Sequence, residues 1–194
     1  MVENPAKAFH SIAIARHKNY TYFLGALAGY AFVACIFWYI HAGDIAKRLI
    51  EIVAAGIFIS PVVGLIIYFL HLLFIKIVLK AFGYTAKFKN IMAVVAYSLF
   101  PLIISAFILL PAEIIVFGQF LFMKSPSPFL LQPTSAYFLF GMDGVLFLWF
   151  FMLYVIGIKI LLDIKYAKSM LISILSIGIT ALTIIGGLSF IPTK

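Results

Sequence analysis

GYTAKFKNIMAVVAYSLFP, residues 83–101, passes from water into lipid within a few residues. Gly83 and Tyr84 close a preceding helix, and Lys87 and Lys89 mark the aqueous side. Asn90 is suited to cap a new helix, because its side-chain carbonyl takes a backbone N–H that the first turn leaves unpaired. From there the run is apolar, with Tyr97 and Pro101 inside it. A basic turn feeding an apolar helix is how a membrane-crossing chain alternates, and the pattern recurs on both sides of this stretch.

Upstream lies an apolar run over residues 49–79. Pro61 inside it is expected to kink the helix, since proline removes one backbone donor and crowds the preceding turn. Gly56, Ser60 and Gly64 repeat every fourth residue there, and Gly25 and Gly29 do the same in an earlier run over residues 20–40. Small residues at that spacing allow two helices to approach closely, so both sets are read as packing seams. At about 1.5 Å per residue, a run of this length covers a hydrocarbon core of about 30 Å. Tyr20, Tyr22, Trp38 and Tyr39 sit at the ends of the first run, as interfacial aromatic belts do. That run is too long and too aromatic for a cleavable leader and is expected to stay as an anchor. Residues 1–19 read as an amphipathic interfacial helix, with Pro5 at its first position and Phe9, Ile12, Ala13 and Arg16 on one stripe.

Downstream, a third span runs over residues 90–118 with Pro101 and Pro111 inside it. A proline-containing loop leads to a fourth span over residues 136–162, and a short basic turn leads to a fifth over residues 169–191. Ser169, Ser173 and Thr180 give the fifth span a small-polar face. The fold class is therefore all-α, a polytopic five-helix transmembrane bundle filling residues 20–194.

Composition agrees. The 194-residue chain is 65% hydrophobic and 10% charged, against about 25% charged in a soluble domain. Its net charge of +8 is spread over the ends of apolar runs, which excludes a nucleic-acid footprint. One end of the spans collects Lys7, Arg16, Lys18, Lys76, Lys80, Lys87, Lys89, Lys159, Lys165 and Lys168; the other has Lys47, Arg48, Lys124 and Lys194. By the positive-inside rule the N-terminus is inside and the C-terminus outside. The single Cys35 forms no intrachain disulfide and reads as a small buried packing residue.

These features together resemble the Yip1 family of five-span membrane proteins. In that family a glycine-containing turn leads to a Phe-Lys pair, then to a tyrosine and a proline four residues later. The positions here are similar: Gly83, Phe88, Lys89, Tyr97 and Pro101. Asn4-Pro5 with Phe9 and Ile12, Trp149, and the basic turn at Lys165–Lys168 also resemble family features. Eukaryotic relatives carry a long polar N-terminal region and bind prenylated Rab-type GTPases. With about twenty residues there, this chain is similar to the prokaryotic branch, which implies a bacterial or archaeal cytoplasmic membrane.

Chemistry-bearing residues are few. Glu51, Glu113 and Asp143 fall on the outer side by topology and form a candidate ion or proton site, since ionisable groups in spans face the bundle interior or water. Charge at interface depth is much cheaper than at midplane, so simple hydration of all three is the favoured expectation. Lys159 and Asp163, four apart, are expected to pair. His71 stands alone and reads as a packing or interfacial residue. No catalytic signature, metal cluster or cofactor motif is present, so no enzyme activity and no cofactor are implied. The reading is a non-enzymatic protein acting through protein or lipid contacts, with anionic lipid at the inner face and a homo-oligomer or membrane-protein partner. A small transporter for a proton, cation or lipid is the alternative.

Overall fold

The computed structural model describes residues 20–189; the interfacial helix expected over residues 1–19 lies outside the described residues. Five helices are long and apolar enough to cross a membrane: span 1 (Thr21–Tyr39), span 2 (Leu49–Ala81), span 3 (Phe88–Phe122), span 4 (Pro133–Leu162) and span 5 (Tyr166–Leu188). No strand occurs among the described residues. The turns at 82–87 and 163–165 make one end of the bundle, called here the basic end. The turns at 40–48 and 123–132 make the loop end.

Spans 1 and 2 pair along the two glycine seams. A Cβ on Gly29 would stand 2.7 Å from Gly64 Cα, and one on Gly25 would stand 2.9 Å from the Tyr68 ring. Ser60 is fully buried in the same contact. Gly56 is different, because its Cβ would meet only Phe37, at 3.6 Å. The close approach thus uses Gly25, Gly29, Ser60 and Gly64, and Gly56 sits where the helices have begun to part.

Span 2 stays helical through Pro61. Proline leaves the carbonyl four residues back without its helical donor, and the Tyr30 hydroxyl of span 1 donates to that oxygen, Ile57 O, at 3.4 Å. At its end, Gly83 takes φ 75°, with Tyr84 N–H on Leu79 O and Gly83 N–H on Lys80 O. That double bond is the Schellman closure, which needs a left-handed residue and so favours glycine. Span 3 then starts at Phe88, so Asn90 lies within its first turn instead of capping it.

Span 3 is built in pieces. A regular helix over Phe88–Ser98 breaks before Pro101 and resumes over Phe100–Ile104. Ser105–Leu109 is a π-helical turn, Pro111 opens the helix Leu110–Phe117, and Gly118–Phe122 tightens into a 3₁₀ turn. Gln119 donates from Nε2 to Gly43 O and Ala46 O, both at 2.9 Å, which ties this last turn to the connection between spans 1 and 2. Span 4 ends at Asp163, in the left-handed region at φ 50°. Asp163 has left the helix, so the expected ion pair with Lys159 does not form; Lys159 Nζ lies 4.7 Å from the Tyr166 ring centroid instead.

Candidate functional site

A cavity of about 290 Å³ lies toward the loop end, with span 3 at its back and spans 1 and 4 as its walls. Leu121 and Phe122 of the 3₁₀ turn line it as well, both buried. Cys35 and Trp38 of span 1 and Phe147 of span 4 are exposed on its open side. Exposed apolar groups within spans face lipid, so the cavity opens laterally into the bilayer. Cys35 is therefore a wall residue at an opening and not the buried packing residue its size suggested.

Three oxygen-bearing side chains line this cavity: Glu113, Asp143 and Ser105. Each is set by the irregular middle of span 3 or by the facing turn of span 4. The π-helical turn adds a residue to the local repeat, a feature concentrated at functional sites. It brings Ser105 to span 4, where its hydroxyl donates to Asp143 Oδ1 at 2.5 Å. The helix restarted at Pro111 carries Glu113 inward, where it is 4% exposed. Its carboxyl lies against that of Asp143, and Glu113 Oε1 is buried with no hydrogen-bond partner. An unpartnered buried carboxyl oxygen is costly, about 1–3 kcal/mol or more when charged.

Hydration at the interface, expected for all three acidic residues, therefore does not hold for Glu113. Topology placed it on the outer side, but the helix restarted at Pro111 turns its carboxyl into the bundle instead of toward water. Glu51 is not part of this site. It stands exposed in the first turn of span 2, where Oε2 accepts from the N–H of Lys47, the residue before the N-cap Arg48, at 3.1 Å.

A second polar cluster was hidden from sequence reasoning. His71 is buried, with Nδ1 2.8 Å from Thr180 Oγ1 and Nε2 2.8 Å from the Tyr154 hydroxyl. Ser176 Oγ lies 3.1 Å from that hydroxyl. This joins spans 2, 4 and 5 about 15 Å from the end of span 2 at Ala81, since ten residues rise about 1.5 Å each. The small-polar face of span 5 was visible in the sequence, but Tyr154, its partner, was not.

Asp143, Phe147, Phe150 and Tyr154 follow one face of span 4. Phe147 and Phe150 contact each other with centroids 5.8 Å apart, and Phe150 stacks on Tyr154 at 6.1 Å. These two phenyl rings separate the carboxyl pair from the His71 cluster.

The Yip1 domain family model matches residues 1–188, nearly the whole chain. The chain belongs to the Yip1 family. Among characterised proteins and solved structures, none is similar enough to count as a match. The positions read as resembling the family's motif do not line the cavity. Gly83 is the left-handed closure of span 2, and Phe88 opens span 3 with Lys76 Nζ 5.9 Å from its ring centroid. Lys89 is exposed, Tyr97 is half-buried and Pro101 is buried at the break of span 3. In this Yip1 domain those residues shape the basic turn and the first bend of span 3, and that bend in turn places the π-helical turn and Ser105.

Proposed function

We propose that this Yip1 protein is non-enzymatic and acts by contact within the bilayer, with the lateral cavity of spans 1, 3 and 4 as its ligand site. The Glu113 carboxyl, buried with one oxygen lacking a hydrogen-bond donor in the wall of a cavity open to the lipid side, carries this reading. A cavity that merely filled a packing fault would be apolar, as dry voids are. The transporter alternative draws on the carboxyl pair and the broken span 3. Against it stand Phe147 and Phe150, apolar rings that lie along span 4 between the pair and the polar cluster and offer a proton or cation no polar step.

Mass spectrometry of organic extracts from the purified protein tests the site. A small molecule is expected from the wild type and not from Ala31→Phe or Ala34→Phe, which fill the cavity. Identical extracts from all three would remove the ligand reading. In proteoliposomes no proton or cation flux is expected, whereas a flux abolished by Glu113→Gln would establish the transporter instead.

The basic end is taken to be the inner face, in the cytoplasmic membrane of a prokaryote. Lys87, Lys89, Lys165 and Lys168 there would hold anionic lipid, at about 1 kcal/mol per well-placed basic residue. In a Cys35→Ala background, membrane-impermeant maleimide added to intact cells is expected to label Gln132→Cys at once. Thr85→Cys is expected to react only after permeabilisation, and the opposite order would invert the topology.

A further inference from the structure

The lining of the cavity restricts what can bind. Its oxygen-bearing side chains are two carboxyls and one hydroxyl, the Trp38 indole N–H and the Cys35 thiol add donors only at the open side, and no lysine or arginine lines it. The Ser105 hydrogen is committed to Asp143, so what the back of the cavity offers an incoming ligand is acceptors: the Glu113 carboxyl, the remaining Asp143 oxygen and the Ser105 oxygen lone pairs. A ligand made for this site donates hydrogen bonds and brings positive charge. A phosphate or carboxylate headgroup does the reverse and is repelled.

A metal cation fits poorly. Calcium takes six to eight oxygens and magnesium demands a near-ideal octahedron, usually keeping several waters. The rest of this lining supplies no oxygen ligand and is largely aromatic or aliphatic, including Trp38, Phe122, Phe140 and Phe147. No group of three or more potential metal ligands from His, Cys, Asp and Glu occurs among the described residues. An alkylammonium matches better, because –NH₃⁺ carries three donors and three acceptor groups converge here. The two carboxyls together neutralise the charge, and each accepts a hydrogen bond from the ammonium. The aromatic groups suit methylenes and attract a cation through their ring faces. At about 30 Å³ per water, the volume of about 290 Å³ holds a head and the first few methylenes. The chain beyond them leaves through the lateral opening.

We propose that the cavity binds the protonated primary amine of a single-chain lipophile, its –NH₃⁺ held by Glu113, Asp143 and Ser105 and its chain passing out between spans 1 and 4. This rests on the reading of the cavity as a ligand site.

Cys35, the only cysteine in the chain and a wall residue, reports occupancy. In phosphatidylcholine nanodiscs, dodecylammonium is expected to slow Cys35 alkylation by N-ethylmaleimide at least fivefold. Dodecyltrimethylammonium, which has charge but no N–H, and dodecanol are expected to slow it less than twofold at equal mole fraction. Glu113→Gln and Asp143→Asn should each weaken dodecylammonium binding tenfold or more, as loss of a charge-assisted bond does. Ser105→Ala should weaken it less, and an unchanged unfolding midpoint identifies the variants that are folded. Equal protection by the trimethyl compound overturns the hydrogen-bonded site, and equal protection by dodecanol overturns the amine. If no probe protects Cys35 while the extracted ligand still disappears in Ala34→Phe, the amine fails and the cavity reading stands.

Discussion

Gly64→Leu is expected to keep spans 1 and 2 from packing and to leave little folded protein. A Cβ at Gly64 would lie 2.6 Å from Gly29 Cα and 2.7 Å from both Gly29 N and Gly25 O. All three are backbone atoms, which cannot rotate aside as a side chain can. The helices must move apart, and the whole contact that includes Ser60, Tyr68 and Ala28 loosens with them. Overpacking of a close core contact costs about 1–3 kcal/mol and occasionally more; against backbone the upper end applies even to Gly64→Ala. At roughly 2–4 °C per kcal/mol for a chain of this size, Gly64→Ala should lower the unfolding midpoint by about 10 °C. Gly64→Leu should elute as aggregate on size exclusion in detergent. Gly56→Ala is the matched control. Its Cβ meets one ring carbon at 3.6 Å, and alanine favours helix by about 1 kcal/mol over glycine, so its midpoint should hold or rise. A normal midpoint for Gly64→Ala would show that the seam does not hold these spans together.

That contrast shows what the sequence could and could not say. Small residues at four-residue spacing marked both seams, yet spacing alone did not tell that Gly56 lies outside the tight contact. The five apolar helices themselves were legible with ends differing by at most four residues, because apolar runs bounded by lysine and aromatic residues are a strong, local signal. The cavity was legible only in part. Glu113 and Asp143 stood out as charges within apolar runs, but their meeting depends on the π-helical turn at Ser105–Leu109, which no local pattern announces. Glu51 looked equivalent to them by depth, although its place in the first turn of a helix made capping its natural use. His71 looked solitary because its partners lie 83 and 109 positions away, far beyond the reach of helical spacing rules.

His71→Leu is expected to destabilise the bundle by about 2 kcal/mol and to do so through Tyr154 more than through Thr180. Thr180 Oγ1 donates its one hydrogen to Ser176 O at 2.8 Å, so toward His71 it accepts, and Nδ1–H is the donor. Nε2 is then the acceptor, and the Tyr154 hydroxyl donates to it. Removing the imidazole leaves Thr180 with its backbone bond intact. Tyr154, fully buried, keeps only the weaker contact with Ser176. Interhelical hydrogen bonds in membranes average about 0.6 kcal/mol and reach about 1.7, and two such bonds plus a cavity at the lost ring bring the total near 2 kcal/mol. A double-mutant cycle of His71→Leu with Tyr154→Phe should give a coupling of about 1 kcal/mol or more, against a few tenths with Thr180→Val. Larger coupling to Thr180 would reverse the assigned hydrogens. Additivity in both cycles would mean that the three side chains hold spans 2, 4 and 5 by packing alone.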